Sequence, residues 1–588
     1  MSSPRAQPGT RALLLVAALA LGVQATGLTS PFIAWDDGLY VFDNPRIQAP
    51  GLAGLLTLWN AADARSANFI EYYPLRDTVY WAVWQAFGRE SVPFHVVSAL
   101  FHLASCLILV FLALRLGFAR DVAVAGSAIF AVHPLHVESV TWVAGLKDPM
   151  FTCFALAATL AYVDFRERPT AKRYALAMLF CAASLLSKGM ALGLPLVFAV
   201  IEWKLPPKVS FLSAARRLVV PAALSGLALV QILLVAQATR VIVPLHGGSV
   251  GTHAFLALWA FTRHLQQAFA PITLQIHYCF EPFAGPTDGR LPLIALALAT
   301  VGALSVMAFR KWPVASVGIV WFVAFLLPSS NIVPHPTHMT DRYLYAPSAA
   351  SALAMAWGFF RLRREWSLFI ATLCVATFGA LSLVRAQAFH DQEVLWQEVV
   401  ADGVCAKDDL ATSVTAYLQH AQFASSPADS VESFRAAFTH ARFAKIPDVQ
   451  QCLYWEAGAQ AALHASDKAL ASAWALEATT RCPTHASAWS LVLQAAQGVD
   501  PSLAATAAER LHALTPTAET LWFLGHARLA AGDLRGGSDI AQASAQAAQR
   551  LCPALLAWWD TANTHQTSAV GSEARAACLA HAAVPVSP

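Results

Sequence analysis

Two adjacent carboxylates, Asp36 and Asp37, stand in the stretch Ala34-Trp35-Asp36-Asp37-Gly38-Leu39-Tyr40, just after the first long apolar run. Asp43-Asn44-Pro45-Arg46 follows them closely. Charge beside a membrane is costly and is a mark of function by default. Neighbouring acids also disfavour each other's ionisation, which lifts one of them towards the range of a working base. The same pair suits a solvated loop start or a helix N-cap, and spacing alone does not separate these roles.

Further along, Glu71-Tyr72-Tyr73-Pro74-Leu75-Arg76 brings Tyr73 and Arg76 forward as substrate-binding groups, and the chain then runs through aromatic residues to His95 and His102. Those two histidines lie on one helix face and read more readily as packing groups than as ligands. The segment His133-Pro134-Leu135-His136-Val137-Glu138 offers two imidazoles and a carboxylate. It lacks the His-Glu-x-x-His spacing of a zinc helix, and Pro134 interrupts the helix between the imidazoles. His133, His136 and Glu138 are taken as substrate-binding groups, with a divalent metal on them as the other reading, and no cofactor is indicated. Lys147 and Lys188 sit at helix ends, where an ammonium can hold a phosphate as a point charge or snorkel to the lipid headgroups. Arg342 stands in Thr340-Asp341-Arg342-Tyr343-Leu344-Tyr345. It suits an interface anchor or a phosphate clamp, with Asp341 and Tyr343 beside it as substrate contacts.

The elements that position these residues are membrane helices. The chain has 588 residues, of which 57% are hydrophobic and 13% charged, against about 25% charged in a soluble domain. A formal net charge of +3 without a Lys/Arg block gives no basis for nucleic-acid binding. Apolar runs predict eleven spans, at 12–28, 94–114, 121–136, 149–165, 174–188, 190–203, 218–238, 291–309, 312–328, 345–360 and 367–384. Arg263, His264, Gln266 and Gln267 interrupt 254–272, which reads as an interfacial or re-entrant helix. The first run is expected to stay as an anchor, with a signal peptide cleaved near Val23-Gln24-Ala25 as the other reading.

Alternate loops carry the basic residues: Arg5 and Arg11; Arg115 and Arg120; Arg166, Arg168, Lys172 and Arg173; Lys204, Lys208, Arg216 and Arg217; Arg310 and Lys311; Arg361, Arg363 and Arg364. The positive-inside rule assigns these to the cytoplasm. Loops 29–93, 137–148, 239–290 and 329–344 then lie outside, and an odd number of spans puts residues 386–588 outside with them.

After residue 385 the composition turns Ala-rich and polar. Pro447, Pro483, Pro516 and Pro553 recur at intervals of 36, 33 and 37, each after an amphipathic stretch. The tetratricopeptide repeat has a 34-residue period with a closing Pro. Leu521, Leu524, Gly525 and Ala530-Ala531-Gly532-Asp533 fit its first helix and turn, and small residues such as Gly458 and Ala459 allow close helix approach. The expectation is an all-α chain, a helical membrane domain over 1–385 and a soluble TPR-like helical solenoid over 386–588. Such a solenoid binds a protein or serves as a structural cap. Cys405, Cys452, Cys482, Cys552 and Cys578 fall here, and their pairing is unreadable.

In order along residues 32–347, the segments WDDGLYVFDNPRI, YYPLRDT, PFHVVSALFHL, AVHPLHVESVTWVAGLKD, SKGMALGLPL and NIVPHPTHMTDRYLYAPS together resemble the transmembrane and TPR-containing O-mannosyltransferase family and its bacterial relatives, within the C-type glycosyltransferase (GT-C) superfamily. The repeats after residue 385 match that family's architecture. Gly189 departs from the residue expected after Ser187-Lys188, and YYPLRD is an altered Tyr-Arg-Pro-Leu motif, so mannose does not follow automatically. The resemblance implies a polyprenyl-phosphate sugar donor, an external active site, and a catalytic Asp in the first external loop, which maps onto Asp36-Asp37. It further implies a multi-pass protein of a bacterial inner membrane whose active site and repeats face the periplasm.

One carboxylate would suffice for such a transfer. Glycoside hydrolysis needs a second carboxyl to protonate the leaving oxygen, whereas a phosphate leaves as a weak base. Asp36 or Asp37 would take the acceptor proton, and Arg342, Lys147 and Lys188 would hold the phosphate, inverting the anomeric centre. Acceptors that fit are an exported protein such as a pilin, engaged by the repeats, or an envelope glycan or lipid. The competing classes are a polytopic transporter and a membrane-anchored scaffold. A transporter is expected to show internal repeats around a midplane site, whereas the polar groups here crowd the external helix ends.

Overall fold

The computed structural model describes residues 8–61, 71–239, 243–408, 411–440 and 443–546. Arg5, Pro553, Cys552 and Cys578 lie outside the described residues. The chain is helical, with no β-strand among the described residues. It divides into two units after Ala416.

In the first unit, all eleven expected spans fall on helices. Six are long and apolar enough to cross a membrane: Thr10–Thr29, Ser91–Arg115, Val143–Glu167, Phe211–Gln237, Leu291–Lys311 and Arg364–Ala388. The other five fall on Arg120–Ala131, Ala171–Leu185, Leu194–Lys204, Pro313–Leu326 and Ser348–Phe359, which are only 11 to 15 residues long. The interrupted stretch forms one helix, Val250–Phe269, outside the apolar set.

Burial grades the long helices. The Val143–Glu167 segment is 89% buried across its apolar window, against 11% for Leu291–Lys311 and 17% for Phe211–Gln237. The first therefore forms the core of the bundle, and the other two leave most of their apolar surface for lipid. Tyr162 stacks on Phe198 at 4.2 Å between ring centroids, and the Tyr162 hydroxyl donates to Glu202 at 2.9 Å. Glu202 also meets Arg166 at 3.2 Å and Arg217 at 3.3 Å, so a buried carboxylate collects two of the basic residues expected on the cytoplasmic side.

At the other end of the bundle the expected external loops meet. His390 approaches the carbonyl of Thr26 at 2.7 Å, and Gln392 accepts from the amide of Ala34 at 3.0 Å. Cys279 and Cys405 form a disulfide. Asp408 accepts from His338 at 3.0 Å and from the amide of Phe280 at 2.8 Å. Loops 29–93, 239–290 and 329–344 and the segment after the last span therefore share one side. The same bonds explain why the division falls after Ala416 rather than after 385: residues 389–408 are tied into the membrane unit.

The second unit is a run of helices in which each packs on its chain neighbours: Asp448–His464 on Lys468–Arg481, Ala486–Ala496 on Pro501–Leu514, and Ala518–Ala530 on Arg535–Gln546. Pro447, Pro483 and Pro516 fall between successive pairs, where the missing N–H costs no helical bond. A Cβ on Gly458 would lie 2.8 Å from the ring of Phe438 and 3.0 Å from Trp474, so the small residue permits the close approach.

Candidate active site

The helix Thr10–Gln24 runs into a 3-10 turn, Thr26–Thr29, and the chain then folds back through Trp35, Asp36 and Asp37 into a wide π turn, Gly38–Phe42. This local geometry points the two acids different ways. Asp37 is fully buried and accepts the amides of Ile33 at 2.7 Å and Ala144 at 2.8 Å. Its side chain fastens its own loop to the turn Val143–Leu146. Burial pushes its pKa up to about 8, against the lowering effect of those two amides. Asp36 is partly exposed, and among the described residues its carboxylate accepts no hydrogen bond. Burial raises its pKa as well, opposed by the nearby charges of Lys147 and Arg342.

Three buried cations, Lys147, Arg342 and Arg76, act on this carboxylate, a fourth, Lys188, joins them through Lys147 and Arg342, and each has an acidic partner. Lys147 opens the core helix Lys147–Glu167, and its ammonium contacts both oxygens of Glu71 at 3.1 and 3.0 Å. Arg76, in the helix Pro74–Phe87, meets Glu71 at 2.6 Å and Asp77 at 2.7 Å. Burial opposes ionisation of Glu71, but Lys147 and Arg76 overcome it and hold the carboxyl well below its usual range. The ring of Tyr40 lies under both cations, 4.6 Å from the Arg76 guanidinium and 4.8 Å from the Lys147 ammonium. Lys188 pairs with Asp148 at 2.5 Å. Arg342 pairs with Glu138 at 2.5 Å, donates its amide to the same carboxylate at 3.1 Å, and lies 4.9 Å from the Trp142 ring.

The turn Val143–Leu146 is the hub of this arrangement. It receives Asp37 at Ala144, and the Tyr80 hydroxyl donates to the carbonyl of Val143 at 2.8 Å. A Cβ on Gly145 would stand 2.8 Å from the carbonyl oxygen of Ser139 and 2.9 Å from that of Glu138. Backbone cannot yield as a side chain does, so the close fold that presents Glu138, Trp142 and Lys147 to one another requires glycine there.

The expected site residues divide on this geometry. Asp36, Arg76, Lys147, Lys188 and Arg342 belong to one electrostatic cluster, with Tyr73 at 5.3 Å from the Arg76 guanidinium and Tyr343 at 5.5 Å from the Lys188 ammonium. Glu138 spends its carboxylate on Arg342. Asp341 is turned away, buried and bonded to the Tyr278 hydroxyl at 2.5 Å. His133 and His136 are fully buried in the helix core, His133 3.4 Å from the carbonyl of Ala268 and His136 2.8 Å from the Ser348 hydroxyl. They are packing groups, as are His95, against the carbonyl of Ser30, and His102, against the Tyr345 hydroxyl and the carbonyl of Ala131. The residues that sequence reasoning missed are Glu71, Tyr40, Asp77 and Asp148. The signal for two of them was adjacency, since Arg76-Asp77 and Lys147-Asp148 are neighbouring ion pairs in otherwise apolar surroundings.

A carboxylate without a hydrogen bond, beside cations already paired, can accept a proton. The cations can at the same time exchange part of their carboxylate contact for an incoming phosphate.

Comparison with known proteins bears out the resemblance carried by the sequence motifs. No family model matches the chain. A protein O-mannosyl-transferase of Caenorhabditis elegans is 28% identical over 167 residues, covering 27% of this chain and 24% of the relative. The human protein O-mannosyl-transferase TMTC1 is 28% identical over 132 residues, covering 22% of this chain and 15% of the relative. The matched segments thus span a quarter or less of the relatives' own length. Among solved structures, the Archaeoglobus fulgidus oligosaccharyltransferase in complex with zinc and sulfate aligns at a TM-score of 0.39 with 14% identity, covering 64% of this chain and 53% of that one. The AglB oligosaccharyltransferase from the same organism, in complex with an inhibitory peptide and a dolichol-phosphate, aligns at 0.40 with 13% identity, covering 73% of this chain and 59% of that one. Overlap at that level carries no inference about chemistry.

Proposed function

We propose that this protein is a membrane glycosyltransferase that moves a sugar from a polyprenyl phosphate to an acceptor hydroxyl, with Asp36 as the general base. The observation that carries this reading is the contrast within the acidic pair: Asp37 is used up by two backbone amides, and Asp36 stands open among cations. The sequence likeness to protein O-mannosyl-transferases supports the same reading.

In the proposed step the acceptor oxygen attacks the anomeric carbon while its proton passes to the Asp36 carboxylate. The bond from that carbon to the phosphate oxygen breaks, and its electron pair leaves on the phosphate. Polyprenyl phosphate and the glycosylated acceptor are the products, with inversion at carbon. Arg342, Lys147 and Lys188 neutralise the departing phosphate, which needs no proton donor. Glu71, Glu138 and Asp148 keep the three cations in place until the donor arrives. No metal is invoked. The sugar is a hexose or pentose.

The face carrying the site is read as periplasmic, in a bacterial inner membrane. The Cys279–Cys405 disulfide supports an oxidising compartment, and the basic residues at the opposite helix ends support a cytoplasmic face there. The acceptor is read as an exported protein presented by the second unit.

The test is transfer of radiolabelled sugar from a polyprenyl-phosphate donor in membranes carrying the wild type or Asp36→Asn. Undiminished transfer by Asp36→Asn defeats the assignment. Sugar uptake without transfer favours a transporter. Truncation should begin after Ala416, because residues 389–408 belong to the membrane unit. Unchanged transfer to the native acceptor without Tyr417–Pro588 would leave the second unit a structural role only.

A further inference from the structure

We propose that Cys452, Glu456, Cys482 and His485, in the second unit, form a tetrahedral zinc site that joins two successive helical hairpins. Cys452 and Glu456 are four residues apart on the helix Asp448–His464, so their side chains leave the same face one turn apart. Cys482 ends the helix Lys468–Arg481, and His485 caps the start of Ala486–Ala496. Pro483-Thr484 between them gives the two-residue spacing that lets a thiolate and an imidazole turn towards one point. The four donors thus come from three helices that meet at one junction.

The distances among Cys452, Cys482 and His485 fit an ion, and Glu456, which lies outside that close group, reaches it beside Cys452 and His485. A tetrahedral zinc with ligands at about 2.0–2.3 Å places its donor atoms about 3.3–3.8 Å from one another. The Cys452 sulfur is 3.6 Å from Nδ1 of His485 and 3.6 Å from Oε1 of Glu456, and those two atoms are 3.4 Å apart. The donor atoms of Cys452, Cys482 and His485 all lie within 4.8 Å of one another. Cys452 and Cys482 are both free and buried, unlike Cys279 and Cys405, which are joined. The Ser487 hydroxyl donates to Oε1 of Glu456 at 2.9 Å, an outer contact that fixes the carboxylate as metal sites require.

Two thiolates, one imidazole and one carboxylate match the borderline-soft character of zinc and leave no open position, which marks a structural rather than a catalytic ion. Binding expels the two thiol protons and leaves a site of charge −1. The ion would tie the entry of one helix pair to the exit of the same pair and the entry of the next. This inference does not depend on the sugar-transfer reading.

The experiment is elemental analysis of the full-length chain, purified in detergent with reductant and without a histidine tag, alongside Cys452→Ser/Cys482→Ser and His485→Ala. The expected result is one zinc ion per wild-type chain and none in the double variant. Replacement by cobalt(II) in the wild type should give thiolate-to-cobalt charge transfer and the intense visible bands of a tetrahedral site, which reads the site even where a variant fails to fold. Wild-type protein that binds neither ion under reductant overturns the proposal, as does zinc retained by the double variant. A Cys452–Cys482 disulfide found by peptide mapping of membranes alkylated before lysis also overturns it.

Discussion

The carboxylate of Asp37 accepts the backbone amide of Ala144 at 2.8 Å across 107 residues of sequence, and so binds the loop after the first span to the turn that leads into Lys147. Asparagine at this position offers one acceptor where two amides need one each. One buried N–H would face another donor, at a cost of about 1–3 kcal/mol. Asp37→Asn is therefore expected to lower thermal stability and yield. Asp36→Asn should leave both unchanged while reducing transfer by about 10²–10⁴-fold, the usual contribution of a general base. A melting curve and a transfer assay on the same preparations check the pair. The opposite pattern, with stability lost at Asp36 and turnover lost at Asp37, would reverse the roles.

The pH dependence follows from the Asp36 environment. Burial raises its pKa above the ordinary 3.8, and Lys147 is the largest influence holding it down. A base works ionised, so kcat/KM should rise with pH through a limb lying above the normal aspartate range. Lys147→Gln removes the restraining charge and should move that limb to still higher pH. The measured quantity is the position of the limb in the free enzyme's profile rather than its height, because Lys147 is also proposed to hold the phosphate. A limb that stays in place in Lys147→Gln would separate Asp36 from the titration.

Arg342 and Glu138 are both buried, and each is the other's partner at 2.5 Å. Arg342→Ala leaves an uncompensated acid, worth about 3–5 kcal/mol of destabilisation in typical cases. Lost activity in that variant alone would say little about phosphate binding. The double variant Arg342→Gln/Glu138→Gln removes both charges and should recover much of the stability. If Arg342 holds the phosphate, the double variant should still show a raised KM for the donor with the acceptor KM unmoved. Equal effects on both substrates would assign the pair a purely structural role.

The membrane helices were legible in the sequence because apolar composition is a property of each segment by itself. The division of labour between Asp36 and Asp37 was not, since adjacent residues differ only in where the turn Gly38–Phe42 aims them. The partners of the cations were hidden for a related reason: Lys147 meets Glu71 across 76 residues, Lys188 meets Asp148 across 40, and Arg342 meets Glu138 across 204. The Cys279–Cys405 bond spans 126 residues and crosses from a loop to the segment after the last span. His133 and His136 drew notice as polar residues in an apolar stretch, yet one or two internal contacts each are enough to hold them in the core.

The shared side of the loops gives a topology that labelling can read. Thr287 is exposed in loop 239–290, and Lys208 is exposed in the short connection at the other end of the bundle. In intact spheroplasts a membrane-impermeant maleimide should label Thr287→Cys at once and Lys208→Cys only after permeabilisation, each measured above the parent background. Labelling of both without permeabilisation would break the proposed orientation.

Gly189 marks a departure from the family pattern, and its surroundings say what the departure accommodates. A Cβ placed there would lie 2.9 Å from the Tyr73 hydroxyl and 2.9 Å from Cδ1 of Ile232. The altered YYPLRD motif and the glycine after Lys188 thus share one space, between the helix that carries Arg76 and the turn beside Lys188. Gly189→Ala overfills it, which typically costs about 1–3 kcal/mol, and the tip of Tyr73 is one of two atoms able to give way. Displacing Tyr73 should disturb its contact with Arg76 and raise the donor KM. Tyr73→Phe added to Gly189→Ala removes the crowding oxygen and should restore part of the lost affinity, although Tyr73→Phe alone gains nothing. Donor titrations of the two single variants and the double variant measure the coupling. Additive effects would show that Tyr73 and Gly189 act independently, and the altered motif would then need a different explanation.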